Sequence, residues 1–523
     1  MPNVTSAKLV PILVAFLAPG LSGADLPSAW HVDGSLYPKA YGVLANEHLM
    51  FPVDMSDWPV KIDRSHQLFV DDYLIAKTDK ITRQVHRAAK HPRNPLLVPD
   101  KPWEGTGCVD QRVLRDAKTG RFRMWYGACG VRPRLPSGTL ARRPACYAES
   151  KDGLTWEKPA LGLFEYEGSK ANNIVLMTGC LKGIFCDPRD PDPQRRYKGL
   201  VWFDWRDPKG VPPEGYYLHA SPDGIRWTRV REEPAALNAG GYTMPCSGVG
   251  DTTTFRWDRR LGKYVGDVKF VLPGKMRCRG MMESDDLIHW TRPRMTVYPD
   301  ALDEPKAQIY GHVGFVYESM WIGLIRVMHA DRVKDSYKQT TVELTASRDG
   351  RHWTRVGKRE ELIALGPPDA WDPHYQDPAT PPIRVGDKLW FYYRSLPLWG
   401  EKRRGEDKVN RIGLATLRYD GFVSLNGGAA PGTIVTRPLT FEGKALYVNA
   451  EIAEGGYIKA ELRTTGGKPV EPYALKQCKP VVSNVMKARV TWDGTSAIEC
   501  PPDTSMRLAF EIKDAKLYSF WIE

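Results

Sequence analysis

A short segment recurs four times along the chain, and its spacing constrains the fold more than any other feature. It reads SKDGLTW from Ser150, SPDGIRW from Ser221, SDDLIHW from Ser284 and SRDGRHW from Ser347. These copies start 71, 63 and 63 residues apart, and a weaker copy, RYDGFVS, carries Asp420-Gly421, with Asp420 lying 71 residues after Asp349. An Asp-Gly pair favours a tight hairpin turn, and a regular period in a strand-rich chain indicates repeated β units.

A second hairpin is predicted before each of these turns, because alternating apolar residues flank a polar turn. The five segments are VLRDAKTGRFRMWY, FCDPRDPDPQRRYKGLVWF, FRWDRRLGKYVGDV, FVYESMWIGLI and PIRVGDKLWFYY. Each unit therefore predicts four antiparallel strands, with the Asp-Gly turn joining the third to the fourth and its Trp lying between neighbouring units. Five such units predict a five-bladed β-propeller. The predicted blades are residues 104–160, 173–232, 247–294, 308–357 and 374–425.

The rest of the chain predicts further segments around this propeller, within an all-β fold class. Residues 1–24 combine Lys8, an apolar run and small residues, which is typical of a cleaved secretory signal and predicts a secreted or periplasmic protein. Residues 25–65 are an N-terminal extension, residues 66–428 form the propeller, and the alternating segments of 429–523 predict a C-terminal β-sandwich. Within the propeller, His66–Lys77 alternates like a strand and is predicted to close the ring against the last blade.

Composition excludes several classes of function. No run after residue 24 is long and apolar enough to span a membrane, and the net charge of +12 accompanies no nucleic-acid-binding motif, so the expected partner is acidic but is neither a membrane nor a nucleic acid. The nine cysteines show no metal-ligand spacing, so no metal site or cofactor is predicted, with an axial Ca²⁺ left open. Cys129 and Cys146 are candidates for one disulfide.

Strand direction predicts which face of the propeller carries chemistry. The Asp-Gly turns and the first hairpins fall on one face, so the strands nearest the axis begin at the opposite face, around an axial pit. Counting back six to eight residues from each first hairpin reaches Asp110, Lys182, Asp251, His312 and Asp377, with Glu104 just before Asp110. Carboxylates that converge on one pit repel each other and raise at least one pKa, as acid–base chemistry at a glycosidic bond requires. The catalytic candidates are therefore Asp110, Glu104, Asp251 and Asp377.

The sequence also resembles a known group of proteins. The segments LFVDDYLI, KPWEG, RFRMWY, ESDDLIHW and LATLRYDGFVSL resemble secreted five-bladed proteins of the glycoside hydrolase family 32 and family 43 type. In those families three acids, one from each of the first three blades, act at the pit. Carried over by position, the resemblance implies Asp110 or Glu104 from the first blade and Asp251 from the third, while the second blade offers Lys182.

These observations predict a secreted glycoside hydrolase that acts on a polysaccharide or oligosaccharide. Two alternatives stay open: a family 130-like phosphorylase, which would suit His312 and Lys182, and a glycan-binding propeller without catalysis. The residues predicted to contact substrate are Trp103, Lys182, His312, Arg277, Arg394, Trp371 and Trp399. The pit-side loops are rich in arginine, for example Arg132, Arg134, Arg142 and Arg143, which predicts an anionic glycan.

Overall fold

The computed structural model describes most of the chain from residue 57 onwards. The described ranges are 57–131, 143–177, 179–203, 215–237, 250, 252–272, 276–329, 339–397, 409–499 and 504–523. The signal peptide and most of the N-terminal extension predicted from the sequence therefore lie outside the described residues. Within these ranges almost all regular structure is β-strand, with two short 3₁₀ helices at Pro102–Glu104 and Pro193–Arg195. No helix among the described residues is long and apolar enough to cross a membrane.

Five antiparallel sheets confirm the five-bladed propeller. Blade I contains Cys108–Arg115, Phe122–Ala128, Ala145–Ser150 and Ile174–Leu176. Blade II contains Cys180–Cys186, Tyr197–Phe203, Gly215–Ser221 and Thr228–Arg229, with Ala236–Leu237 also pairing to its third strand. Blade III contains Thr254–Asp258, Lys263–Leu272, Met276–Ser284 and Arg294–Val297. Blade IV contains Gln308–Tyr317, Met320–His329, Gln339–Ser347 and Thr354–Arg355. Blade V contains Asp377–Pro378 with Ile383–Val385, then Lys388–Ser395, Arg411–Arg418 and Ala89–Lys90.

The recurring turn has the same hydrogen bonds in blades I to IV. In blade II the hydroxyl of Ser221 accepts from the amide of Gly224 at 2.9 Å, and Asp223 accepts from the amides of Ile225 and Arg226 at 2.8 and 2.9 Å. The glycine has φ of +77°, a region that side chains other than glycine rarely adopt. Its Cα also lies against Trp125 of blade I, where an added Cβ would approach the ring to 2.7 Å. The motif therefore recurs because it makes a turn that fits beside the preceding blade.

The Trp of each repeat packs in more than one way. Trp156 of blade I meets Tyr392 of blade V edge to face, with ring centroids 5.8 Å apart, as expected for a contact between blades. Trp290, in contrast, packs edge to face on Phe255 of its own blade III at 5.4 Å. The predicted position between neighbouring blades thus holds for Trp156 and not for Trp290.

Three strand assignments made from the sequence were wrong. The outer strand of blade I is Ile174–Leu176, which the sequence placed in blade II. The fifth Asp-Gly turn leads from Arg411–Arg418 out to Val423–Gly427, which pairs with a strand of the C-terminal sheet instead of with blade V. The missing fourth strand of blade V is Ala89–Lys90.

The segment predicted to close the ring belongs to another sheet. Gln67–Leu68 and Ile75–Asp79 pair with strands of the C-terminal region. A two-residue strand at Ala89–Lys90 carries too little alternation to be recognised in the sequence, whereas His66–Lys77 alternates clearly and also finds a sheet partner.

The C-terminal region is rich in β-sheet, and N-terminal strands join it. Its main sheet has ten strands, namely Val60–Lys61, Gln67–Leu68, Ile75–Asp79, Ile81–Val85, Val423–Gly427, Gly432–Thr436, Leu439–Thr440, Leu446–Thr464, Val485–Arg489 and Met506–Ile522. Cys478–Lys479 pairs with Thr491–Trp492 in a separate two-stranded sheet. The two longest strands, Leu446–Thr464 and Met506–Ile522, pair along most of their length, with register shifts that explain why the sequence suggested shorter strands.

The seven cysteines in the described part of the chain are all free thiols. Cys129 and Cys146, the candidates for a disulfide, are among them. Cys146 is buried and Cys129 half-buried, and neither is bonded to another cysteine. The propeller is therefore held by its strand pairing and its buried apolar clusters without that cross-link.

Candidate active site at the propeller axis

A cavity of about 190 Å³ lies where the inner strands of the blades converge. We call it the axial pit, and all five blades contribute to its wall. Its charged lining residues are Asp110, Arg112, Arg143, Lys182, Arg326, Asp377 and Arg394. Its neutral polar lining includes Thr252, Thr253, Thr254, Tyr310, Tyr375, Cys129 and Asn410. Asp110, Lys182, Asp377 and Arg394, which were predicted from the sequence, are thus brought together.

Irregularities in three inner strands aim side chains into the pit. The pairing register shifts between Val109 and Arg112, and Asp110 has φ of +53°. In blade II the shift leaves Lys182 as the extra residue, and in blade IV it leaves Tyr310. A bulge redirects a side chain that regular alternation would place elsewhere, and such features concentrate near functional sites. The three residues at these irregularities all line the pit, namely Asp110, Lys182 and Tyr310.

Asp110 forms the clearest charged pair in the pit. Its Oδ2 lies 2.6 Å from Nζ of Lys182, which is 5% exposed, while the Asp110 side chain is 18% exposed and so is open to a ligand. Burial alone would raise the pKa of Asp110, but the charges of Lys182, Arg394 and Arg143 outweigh burial and hold the pKa well below its ordinary value. Asp110 is therefore an ionised carboxylate at neutral pH.

Asp377, the second carboxylate of the pit, is held by two guanidinium groups. Its Oδ2 lies 2.8 Å from Nη1 of Arg326 and 3.0 Å from Nη2 of Arg394. Both arginines also donate to the hydroxyl of Tyr375, and that hydroxyl donates to Asp377 at 3.4 Å. Burial, the largest influence, raises the pKa of Tyr375 well above its ordinary value, so its phenol stays protonated.

Two further arginines in the pit have no carboxylate partner among the described residues. Arg112 donates from Nε to the carbonyl of Lys182 at 2.9 Å and from Nη1 to the carbonyl of Gln111 at 2.9 Å. Burial lowers the pKa of Arg112, as expected for a guanidinium held mainly by neutral acceptors. Arg143 reaches only the sulfur of Cys180, at 4.0 Å. The pit therefore carries five cationic side chains and two carboxylates among its described lining residues.

The sequence analysis named Lys182, Arg394 and Arg143 among these cations and missed Arg112 and Arg326. Arg326 lies in the second strand of blade IV within MWIGLIRVMH, where every other residue is apolar except the terminal His329. A charged residue in a fully buried strand needs a partner or a function, so this run was the available signal. Arg112, by contrast, lies in CVDQRVLR, a strand that mixes polar and apolar residues, and so gives no such signal.

Glu104 and Trp103 lie beside the pit and do not line it. Glu104 is fully buried, and its carboxylate accepts from the hydroxyl of Tyr126 at 2.6 Å, from Lys158 at 2.7 Å and from two backbone amides. Trp103 donates from Nε1 to Asn173 at 2.7 Å and packs on Tyr166. Because these side chains are already engaged, the geometry favours structural roles for both.

Three other predicted binding residues also lie outside the pit wall. His312 is buried, with Nε2 2.9 Å from the hydroxyl of Thr345, and its ring packs on Trp353. Arg277 donates to Gln308 at 2.7 Å, and Trp371 stacks on Tyr393 with ring centroids 5.5 Å apart. Asp251 and Trp399 lie outside the described residues, as do Arg132, Arg134 and Arg142.

No group of three or more His, Cys, Asp or Glu side chains in the described part of the chain is placed to hold a metal ion. In the pit itself, the five cations would repel a divalent cation. An axial Ca²⁺ therefore does not fit the described residues of the pit.

Comparisons with known proteins give only distant structural matches. No family model matches the sequence, and no curated protein matches it. Among solved structures, an N-acetylgalactosamine deacetylase from F. plautii is 16% identical, with 66% of this chain and 97% of that chain covered and a TM-score of 0.42. A thermostable family-43 glycoside hydrolase is 12% identical, and the match covers 65% of this chain and 96% of that chain with a TM-score of 0.42. A β-1,2-mannobiose phosphorylase from Listeria innocua is 12% identical, and the match covers 64% of this chain and 97% of that chain with a TM-score of 0.42. The propeller assignment rests on the strand pairing of this chain, since likeness at this level carries no argument.

Proposed function

We propose that this protein is a carbohydrate-active enzyme that cleaves a glycosidic bond in the axial pit. The observation that carries the proposal is the Asp110–Lys182 pair, an ionised and accessible carboxylate at the mouth of an inner strand. Cleavage of a glycosidic bond needs a carboxylate that acts as base or nucleophile and a second group that donates a proton. Asp110 suits the first role. Its lowered pKa makes it a poor proton donor, and Asp251 is the candidate that the sequence supplies for the second role.

Within this proposal, glycoside hydrolysis of an anionic glycan is the leading function. The excess of cations over carboxylates in the pit wall favours a substrate that carries a uronic acid or a sulfate ester.

The same cations favour a second candidate, a phosphorylase. Inorganic phosphate is also an anion that guanidinium groups bind with paired hydrogen bonds. In a phosphorylase the phosphate would attack the sugar carbon and take the place of water. The pit therefore supports two sources of the anion, the substrate itself or free phosphate.

A glycan panel assayed with and without phosphate separates these functions. The panel contains neutral and charged oligosaccharides of matched backbone, and the readouts are reducing sugar and sugar 1-phosphate. Reducing sugar formed without phosphate supports the hydrolase, and sugar 1-phosphate formed only with phosphate supports the phosphorylase. Binding of a glycan without either product would instead indicate a binding protein and would overturn the enzymatic proposal.

The charged member of a matched glycan pair is expected to bind more tightly at low salt. Raising the salt concentration to about 0.5 M is expected to weaken that binding, because screening then acts within a few ångströms. Isothermal titration of both glycans at two salt concentrations measures the effect. The neutral glycan is the control, since its affinity has no ionic component. Equal affinity of the two glycans at low salt would contradict an anionic substrate.

Replacing Lys182 by Met is expected to move the acidic limb of the kcat/KM profile to higher pH. Lys182 is the charge that lowers the pKa of Asp110 most, so its removal lets burial raise that pKa. The matched control is Lys151→Met, at an exposed position in the blade I turn, which should leave the profile unchanged. An acidic limb that stays in place in Lys182→Met would show that ionisation of Asp110 does not govern the reaction.

A further inference from the structure

A second and larger cavity, of about 720 Å³, lies on the other side of the pit wall. We call it the back vestibule, because the hairpin residues Asp116, Ala117 and Lys118 line it, and these lie on the face opposite the mouth of the pit. Four residues from four blades line both cavities, namely Arg112, Thr254, Val313 and Ala379. These shared residues lie between the two cavities, and the vestibule lining includes none of Asp110, Lys182, Asp377 and Arg394 of the pit.

The floor of the back vestibule is apolar and aromatic. Its lining includes Ile184 and Phe255, both buried, and Phe185, Trp257 and Ile383, all half-buried. A volume of this size fits a small organic molecule, since ligand pockets usually span about 300–1,000 Å³. Aromatic lining residues favour an aromatic ligand, because rings gain from stacked or edge-to-face contact.

The rim of the back vestibule is cationic. Arg115, Lys118, Arg123 and Arg196 line it, and none of them pairs with a carboxylate in the part of the chain that the structure describes. Arg115 donates to the carbonyl of Gly120 at 3.3 Å, and Arg123 donates to the carbonyl of Asp223 at 2.9 Å.

The one acidic residue in the vestibule lining is engaged in its own turn. The carboxylate of Asp116 accepts from the amides of Lys118 and Thr119 at 2.9 and 2.8 Å. It therefore does not neutralise the four cations. A cationic rim above an apolar floor is complementary to a molecule with an apolar body and one anionic group.

We propose that the back vestibule is a second ligand site, which binds an aromatic anion such as an aryl carboxylate or aryl sulfonate. The aromatic body lies among Phe185, Phe255 and Trp257, and the anionic group meets Arg115 and Arg196 at the rim. This site is independent of the function proposed for the axial pit. Its test therefore needs no enzymatic activity.

Binding of anilinonaphthalene sulfonate to the full chain tests this proposal, with fluorescence excited directly in the probe. Leu114→Trp and Ile383→Trp each fill the vestibule from half-buried positions, and each is expected to weaken probe binding at least about tenfold, a loss of about 1.4 kcal/mol. Two Trp variants are used so that one result remains if the other variant does not fold. Circular dichroism shows which variants are folded. In the wild type, 2-naphthoate is expected to displace the probe, whereas neutral 2-naphthol at the same concentration is not.

Charge reversal at the rim tests the anionic half of the proposal. The double variant Arg115→Glu with Arg196→Glu is expected to weaken probe binding about tenfold. The control is Arg259→Glu, an exposed position in the blade III hairpin that does not line the vestibule, and it should bind the probe like the wild type. Unchanged affinity in both Trp variants, equal competition by naphthol, or an equal loss in Arg259→Glu would each overturn the proposal.

Discussion

Replacing Asp110 by Asn is expected to lower kcat/KM by about 10²–10⁴-fold while the protein stays folded. Asn keeps the shape of the side chain but removes the charge that pairs with Lys182, so the pit loses its accessible base or nucleophile. The residue lies on the wall of an open cavity, and its side chain is not required to fill a core. Initial rates on the best substrate of the glycan panel, together with thermal unfolding, measure both effects.

Asp258→Asn is the matched control, because it makes the same chemical change on the opposite face of the propeller. Asp258 is fully buried, accepts from Nε1 of Trp321 at 2.7 Å and caps the amides of Arg260 and Leu261. We expect this variant to lose about 1–3 kcal/mol of unfolding free energy and to keep kcat, since it does not line the pit. A large fall in kcat for Asp258→Asn, with normal rates in Asp110→Asn, would contradict the assignment of faces.

Asp251→Asn extends the experiment to the proposed proton donor. Asp251 immediately precedes Thr252, which lines the pit, and the sequence repeat predicts Asp251 near the mouth of the pit. The variant is expected to lower kcat strongly without unfolding the protein. Its remaining activity should be highest on substrates with a good leaving group, because these need least protonation. Full activity on every substrate would remove Asp251 from the mechanism.

The blades were predictable from the sequence because the turn that marks them is built from local contacts. The Ser and Asp side chains of the turn accept from backbone amides two or three residues away, so the motif specifies its own geometry in each repeat. Even the copy with Leu287 in place of Gly keeps the turn, at φ of +67°. Its side chain is buried in the blade III core, which explains how a strained backbone position is retained.

Strand partners over long separations were not predictable in the same way. Ala89–Lys90 closes the ring by pairing with Arg411–Arg418, more than 300 residues later. A strand of two residues is too short for its sequence to indicate its partner. The faces of the propeller followed from strand direction, so Asp110, Lys182 and Asp377 were placed correctly at the pit. His312 was not, because the bulge beside it turns Tyr310 to the pit and leaves the imidazole against Thr345.

Asp420 shows how a residue read as part of a turn can have another role. It belongs to the weak fifth copy of the motif, yet its carboxylate is fully buried where the propeller meets the C-terminal sheet. It accepts from the hydroxyls of Ser519 and Tyr317 at 2.6 and 2.8 Å and from Asn449 at 3.2 Å, and it lies 2.6 Å from Nδ1 of His66. One carboxylate therefore connects an N-terminal segment, two C-terminal strands and blade IV.

Replacing Asp420 by Asn is expected to lower the free energy of unfolding by about 3–5 kcal/mol, because a hydrogen bond to a charged group is worth about 1.5–3 kcal/mol and several are weakened at once. The amide has one acceptor oxygen in place of two and adds a donor group among existing donors. Ser519→Ala is the control, since it removes one of the donors and should cost only about 1 kcal/mol. Guanidinium-induced unfolding followed by Trp fluorescence compares the two. A loss in Asp420→Asn no larger than that in Ser519→Ala would show that the carboxylate does not organise this junction.

The same variant is expected to change how stability depends on pH. Burial alone would raise the pKa of Asp420, but hydrogen bonds from His66, Ser519 and Tyr317 outweigh it and leave the pKa below its ordinary value. A carboxyl whose pKa is lower in the folded than in the unfolded state stabilises the fold at neutral pH. That stability is lost as the pH falls below about 4, toward the folded-state pKa. The difference in unfolding free energy between wild type and Asp420→Asn should therefore be largest near neutrality and shrink in acid. A difference that grows as the pH falls would mean that the carboxyl is protonated in the folded protein, with the hydrogen-bond directions reversed.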